Sequence, residues 1–128
     1  MLPVTAFFAG IMALWFVGLS AVVILRRQEL RLPIGDGGDS LMARRIRVHG
    51  NFVEYVPMAL VLMGANELNG GGSTFLGLCG AALVTGRLCH AYSLLVAEVR
   101  SPGDMLFRKT GMVMTLGAIF VLALAAVF

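Results

Sequence analysis

Four charge-poor stretches alternate with polar breaks along the chain: Leu2 to Leu25, Phe52 to Ala65 interrupted only by Glu54, Thr74 to Val96 interrupted by Arg87 and His90, and Thr110 to Phe128. A helix needs about 20 predominantly apolar residues to cross a hydrocarbon core, so the first, third and fourth stretches qualify directly. The second qualifies only if its polar residues turn inward. The pattern predicts an all-α, integral membrane four-helix bundle over residues 1–128, with no room for a separate soluble domain. The first stretch lacks the basic start and short apolar core of a cleaved signal peptide, and reads as a retained span.

The breaks carry turn chemistry. Leu32-Pro-Ile-Gly-Asp-Gly-Gly-Asp-Ser ends with Asp39 or Ser40 placed to cap the second helix. Asn69-Gly-Gly-Gly-Ser repeats the device, with Ser73 as the expected cap, and Ser101-Pro-Gly-Asp closes helix three and lets Asp104 start helix four.

Composition agrees with a membrane protein: 59% of residues are hydrophobic and 13% charged, against roughly 25% charged in soluble domains. Mean hydropathy is +0.89. Arg26, Arg27, Arg31, Arg44, Arg45, Arg47, Arg87, Arg100, Arg108 and Lys109 all lie in or toward loops one and three. The positive-inside rule then places those loops in the cytoplasm and both termini on the opposite side. The net charge of +3 reports this topology and contact with anionic lipid headgroups, not nucleic-acid binding. Cys79 and Cys89 are ten residues apart on one helix, about 15 Å along its axis, and cannot pair within the chain. They read as unreactive thiols in an apolar setting, and neither they nor the two histidines form a metal or haem motif.

Chemistry concentrates between Arg47 and Tyr55. Arg47, Asn51 and Glu54 are spaced by four and three and share a helix face, which Tyr55 extends. A tight turn at Asn69 to Ser73 makes helices two and three antiparallel, with residues whose numbers sum to about 142 at equal depth. Glu54 is then expected level with Arg87 or Leu88, and Asn51 with His90 or Ala91. An isolated ion at the bilayer centre costs about 2.5 to 3.5 kcal/mol, so an ion pair between Glu54 and Arg87 is expected, within one chain or across a subunit boundary. Such a pair can serve as a structural staple as readily as a functional group.

The segment Arg47-Val-His-Gly-Asn51-Phe-Val-Glu54-Tyr55-Val-Pro57 resembles the second-helix motif of the MAPEG family, the membrane-associated proteins in eicosanoid and glutathione metabolism. Arg87-Leu-Cys-His90 is similar to the third-helix motif of its bacterial members, and the likeness extends over essentially the whole chain. The resemblance implies a homotrimer in the bacterial inner membrane that binds glutathione between subunits near the cytosolic side. It also implies transfer of glutathione to a lipophilic electrophile, or reduction of a lipid hydroperoxide. The implied contacts are Arg47, Asn51, Glu54 and Tyr55, with Arg26 or Arg27 from helix one, and Arg87 and His90 from helix three, where His90 occupies the place of a ligand tyrosine in mammalian members. Three departures stand out: His49 replaces a glutamine, Leu94 holds the second tyrosine position, and the thiolate-stabilising arginine falls near Ser101, leaving Arg100 and Arg108 as candidates. A non-catalytic lipid- or thiol-binding protein is the second reading, and a small multidrug-type transporter the third. The uncharged first helix argues against the transporter.

Overall fold

The computed structural model describes residues 1–128 and contains helices only. α1 spans Pro3–Leu30, α2 Ser40–Leu68, α3 Ser73–Arg100 and α4 Leu106–Val127. α1, α3 and α4 are long and apolar enough to cross a membrane; α2, with its arginines and two glutamates, does not meet that criterion by composition.

The helix ends have identifiable causes, most of them local. Pro3 opens α1, where its missing amide would have had no helical partner anyway. The carboxylate of Glu67, at the far end of α2, accepts the Val4 amide at 2.9 Å and the Thr5 amide at 2.8 Å, so a distant side chain caps α1. Asp39 caps α2 as expected, accepting the Met42 amide at 2.7 Å. Two expected caps differ. Gly72, not Ser73, occupies the cap position of α3, because the glycine turn runs directly into the helix. Asp104 accepts the Leu106 amide at 3.1 Å from two residues before α4. Gly70, with φ of +84°, supplies the left-handed residue that this tight α2–α3 turn requires.

The core is assembled from Met12 and Leu19 of α1, from Val48, Phe52, Val56 and Ala59 of α2, and from Leu83, Ala91 and Leu94 of α3. The α2 members recur at spacings of four and three, which places them on one stripe. A second cluster of Met63, Leu76, Cys79 and Leu122 lies toward the chain termini. α3 and α4 touch backbone to backbone at Gly86 and Gly111, where a Cβ on Gly111 would lie 2.5 Å from the Gly86 carbonyl. Small residues at such a crossing let membrane helices pack closely. Apolar side chains such as Phe7, Leu14, Val17, Val113 and Phe120 point outward, as a lipid-facing surface demands.

Near its loop-side end α3 widens into a π-turn over Ser93–Ala97 before a last helical turn at Glu98–Arg100. Such bulges are frequent at functional sites.

Candidate functional site

The Arg47 to Tyr55 segment is divided between two surfaces. Asn51 is 3% exposed and faces the bundle. The side chains of Arg47 and Glu54 are 56% and 53% exposed and lie within 4.0 Å of each other on the outside of α2. At 3.6 residues per turn they sit about 40° and 60° to one side of Asn51, so one stripe straddles the boundary between core and exterior. Tyr55, on its other side, is half-buried.

The expected Glu54–Arg87 ion pair is not formed within the chain. Arg87 reaches α2 at Asn51, one turn before Glu54, and its Nη1 donates to the side-chain Oδ1 of Asn51. Its Nε donates to Thr115 Oγ1 at 3.0 Å and its Nη2 to the Gly111 carbonyl at 3.5 Å. The Tyr55 ring lies 5.7 Å from the guanidinium carbon, a cation–π distance. Thr115 in turn donates to the Gly111 carbonyl at 2.9 Å. Arg87, 2% exposed, is thus surrounded by neutral oxygens and an aromatic face. These hydrogen bonds offset the cost of burying its charge. A layer joining α2, α3 and α4 results, with Asn51 in place of the carboxylate that register alone suggested.

His90 is buried one turn along α3, where its backbone abuts Gly111. Neither Arg87 nor His90 is open for a ligand to reach in the single chain, in contrast to their expected role as direct contacts. His49 is half-buried between α1 and α2, where its Nε2 lies 3.1 Å from Ser20 Oγ.

The loop-side arginines fall into distinct settings. Arg26 is held by Asp39 at 2.8 Å and by Glu29 at 3.0 Å. The Arg26 guanidinium, followed by the Met42 amide, holds the Asp39 carboxyl below its usual range. Arg27 buries its Nη1 without a hydrogen-bond partner. Arg108 faces Glu98 at 3.9 Å, and Arg44 approaches the same carboxylate at 3.6 Å while donating to the Leu94 carbonyl inside the π-turn at 3.1 Å. Ser93 donates to Glu98 at 3.0 Å. Glu98 therefore ties the widened end of α3 to α2 and α4. Arg100 is exposed and joins no ion pair. Of the two thiolate-arginine candidates, Arg100 is free and Arg108 is committed.

Sequence reasoning missed Thr115, Gly111 and Glu98. The glycine pair Gly86 and Gly111, each within a helix, was the available signal for a close α3–α4 crossing. Nothing in local spacing links Glu98 to Arg44, more than fifty positions away.

The chain is 38% identical over 122 residues to the Inner membrane protein YecN of Escherichia coli K12, covering 95% of this chain and 88% of that protein. The protein of the same name from Escherichia coli O6:H1 matches to the same extent. No solved structure matches the chain. The MAPEG family pattern matches residues 5–128, nearly the full length of a helical bundle with three apolar spans, and the chain is an integral membrane protein belonging to the MAPEG family.

Proposed function

We propose that the protein is a glutathione-dependent transferase or peroxidase acting on lipophilic electrophiles or lipid hydroperoxides, assembled as a homotrimer in the bacterial inner membrane with loops one and three cytoplasmic. One observation carries the reading: Arg47 and Glu54 form an outward-facing, half-exposed pair on α2 at the loop-side half of the bundle. Charged groups on the flank of a membrane helix are costly against lipid and mark functional surfaces. A neighbouring subunit and a zwitterionic ligand would cover them together. Glutathione presents two carboxylates, an ammonium and a thiol, and Arg47 and Glu54 are complementary to one carboxylate and the ammonium. The inner-membrane placement follows the name of the relatives.

Arg100, free of ion pairs, is the residue assigned to the sulfur. A nearby guanidinium favours thiolate over thiol, whose ordinary pKa is near 8.5. In the transferase reaction the thiolate sulfur forms a bond to the electrophilic carbon, and the displaced group or a captured proton balances the charge. In the peroxidase reaction two glutathione thiols supply two electrons, reducing the hydroperoxide to alcohol and water and leaving the disulfide. Arg87 and Asn51 position α2 against α3 and do not touch the thiol in this scheme.

A non-catalytic binding protein is the second reading. The burial of His90 and the engagement of Arg108 by Glu98 favour it, because both remove candidates for chemistry from the ligand's reach. Binding of glutathione to the detergent-purified protein, read by calorimetry and by thiolate absorbance, distinguishes the two. Saturable binding with a thiolate band that Arg100→Ala removes supports the enzyme. Binding without that band supports the carrier, and no binding at millimolar glutathione overturns both for this tripeptide.

A further inference from the structure

Glu98 is buried, whereas every residue from Val99 to Phe107 is exposed, and Arg108 is the first after them that is not. Both ends of that exposed segment meet at one carboxylate. Glu98 Oε2 lies 3.9 Å from Arg108 Nη1 of α4 and 3.6 Å from Arg44 Nη1 of α2, while Ser93 Oγ donates to Oε1 at 3.0 Å. The junction therefore closes the base of the α3–α4 loop. Phe107 packs edge-on against Tyr92, with ring centroids 5.1 Å apart, and so seats the α4 end of the segment. At the α3 end the anchor is Glu98 itself.

The chain has just left the regular helix there. The Glu98 amide donates to the Ser93 carbonyl, five residues back, and the Ser93 hydroxyl returns to the Glu98 carboxylate. Arg44 Nη1 donates to the Leu94 carbonyl at 3.1 Å. A π-turn offsets the following helix from the regular ladder, so the heading of the last turn, Glu98–Arg100, depends on how these side chains are drawn together. Arg100 stands two residues beyond Glu98 on that turn, exposed and outside the ion pairs.

The geometry assigns Glu98 as a positioning residue for Arg100: by holding both ends of the exposed segment against α2, it fixes where the Arg100 guanidinium stands relative to the ligand sulfur. This rests on the assignment of Arg100 to the thiolate in the proposed function. Glu98 touches no ligand in this scheme. Distance matters because doubling the separation of two charges halves their attraction. Two accounts of Glu98 then predict opposite signs. Removing a carboxylate that acts only through space leaves the surroundings more positive and favours the thiolate. Removing one that positions Arg100 takes the cation from the sulfur and favours the thiol.

The test titrates the detergent-purified full-length protein with glutathione and follows thiolate absorbance against pH, with calorimetry for affinity. Glu98→Gln keeps the acceptor for Ser93 and should leave affinity within about threefold. The pH at which the thiolate band is half-formed should rise by about one unit, toward the free thiol value near 8.5. Arg100→Ala should move it to that value, and adding Glu98→Gln to Arg100→Ala should change nothing further. Arg44→Met should reproduce the rise, and Arg44→Lys, which keeps a cation beside Glu98, should not, so the result does not depend on the folding of one variant. A midpoint unmoved or lowered by Glu98→Gln and Arg44→Met, with Arg100→Ala still raising it, overturns this inference and leaves the proposed function standing. A further shift in the double variant overturns it as well. A native chain without glutathione binding, or without the thiolate band, removes the Arg100 assignment and this inference together.

Discussion

Asn51 and Glu54 stand one turn apart on the same helix, yet one is sealed inside the bundle on Arg87 and the other lies on its flank beside Arg47. The difference is one of rotation, about 60° around α2, and it separates two tasks. Polar groups that turn inward, such as Asn51, join the Arg87 guanidinium of α3 to oxygens of α2 and α4 and determine how the helices seat. Polar groups that turn outward meet only each other and leave donors and acceptors for something beyond the chain. A membrane helix carrying many polar residues therefore needs to be read face by face, since the total says nothing about which residues hold the fold and which await a ligand.

The largest effect that would test this division is loss of the inner layer. Arg87→Met strands Asn51 and Thr115 without their charged donor, and thermal unfolding in detergent should show a loss of about 3 kcal/mol. Melting indistinguishable from the native chain would mean that the layer does not hold the helices. Gly111→Ala attacks the same place by volume: its new methyl meets the Gly86 carbonyl and the His90 backbone, at a cost of about 2 kcal/mol. A double-mutant cycle sharpens the contrast. Asn51→Ala with Arg87→Met should couple by about 1 kcal/mol, whereas Glu54→Gln with Arg87→Met should be additive within about 0.5 kcal/mol. Strong coupling in the second cycle would restore the Glu54–Arg87 pair, through a subunit boundary.

Loop one offers a weaker, pH-dependent effect. The Asp39 carboxyl is held below its usual range by Arg26, so the folded state binds this proton less readily than the unfolded chain. Its contribution is complete above the unfolded carboxylate value, near pH 4, and declines as pH falls through the lower folded value. Asp39→Asn should remove that part of the acid dependence of melting. Smallest in stability are the outer residues: Arg47→Ala and Glu54→Gln should each shift unfolding by under about 0.5 kcal/mol. If they serve the ligand, calorimetry should show glutathione affinity falling about tenfold or more for each. Unaltered affinity would dissociate the outer face from the thiol.

Much of this was legible in the chain. Three spans, the breaks between them and the Asp39 cap follow from local chemistry, because hydropathy and capping act over a few residues. The depth of the polar layer was close, since Arg87 does meet the Arg47 to Tyr55 stripe. The partner was not, because register from a turn is good to about one helical turn and Asn51 and Glu54 differ by less than that. Glu98 with Arg44 and Arg108, and Glu67 at the start of α1, were invisible for a different reason. These contacts are made between helix ends brought together by the bundle, and no periodicity along one helix encodes them.

The Glu67 contact makes one helix depend on the other. Both oxygens of that carboxylate are engaged by the first amides of α1, yet more than sixty residues separate them along the chain. The first turn of α1 is thus completed by a side chain of α2, and whatever displaces the far end of α2 unfastens the start of α1 as well.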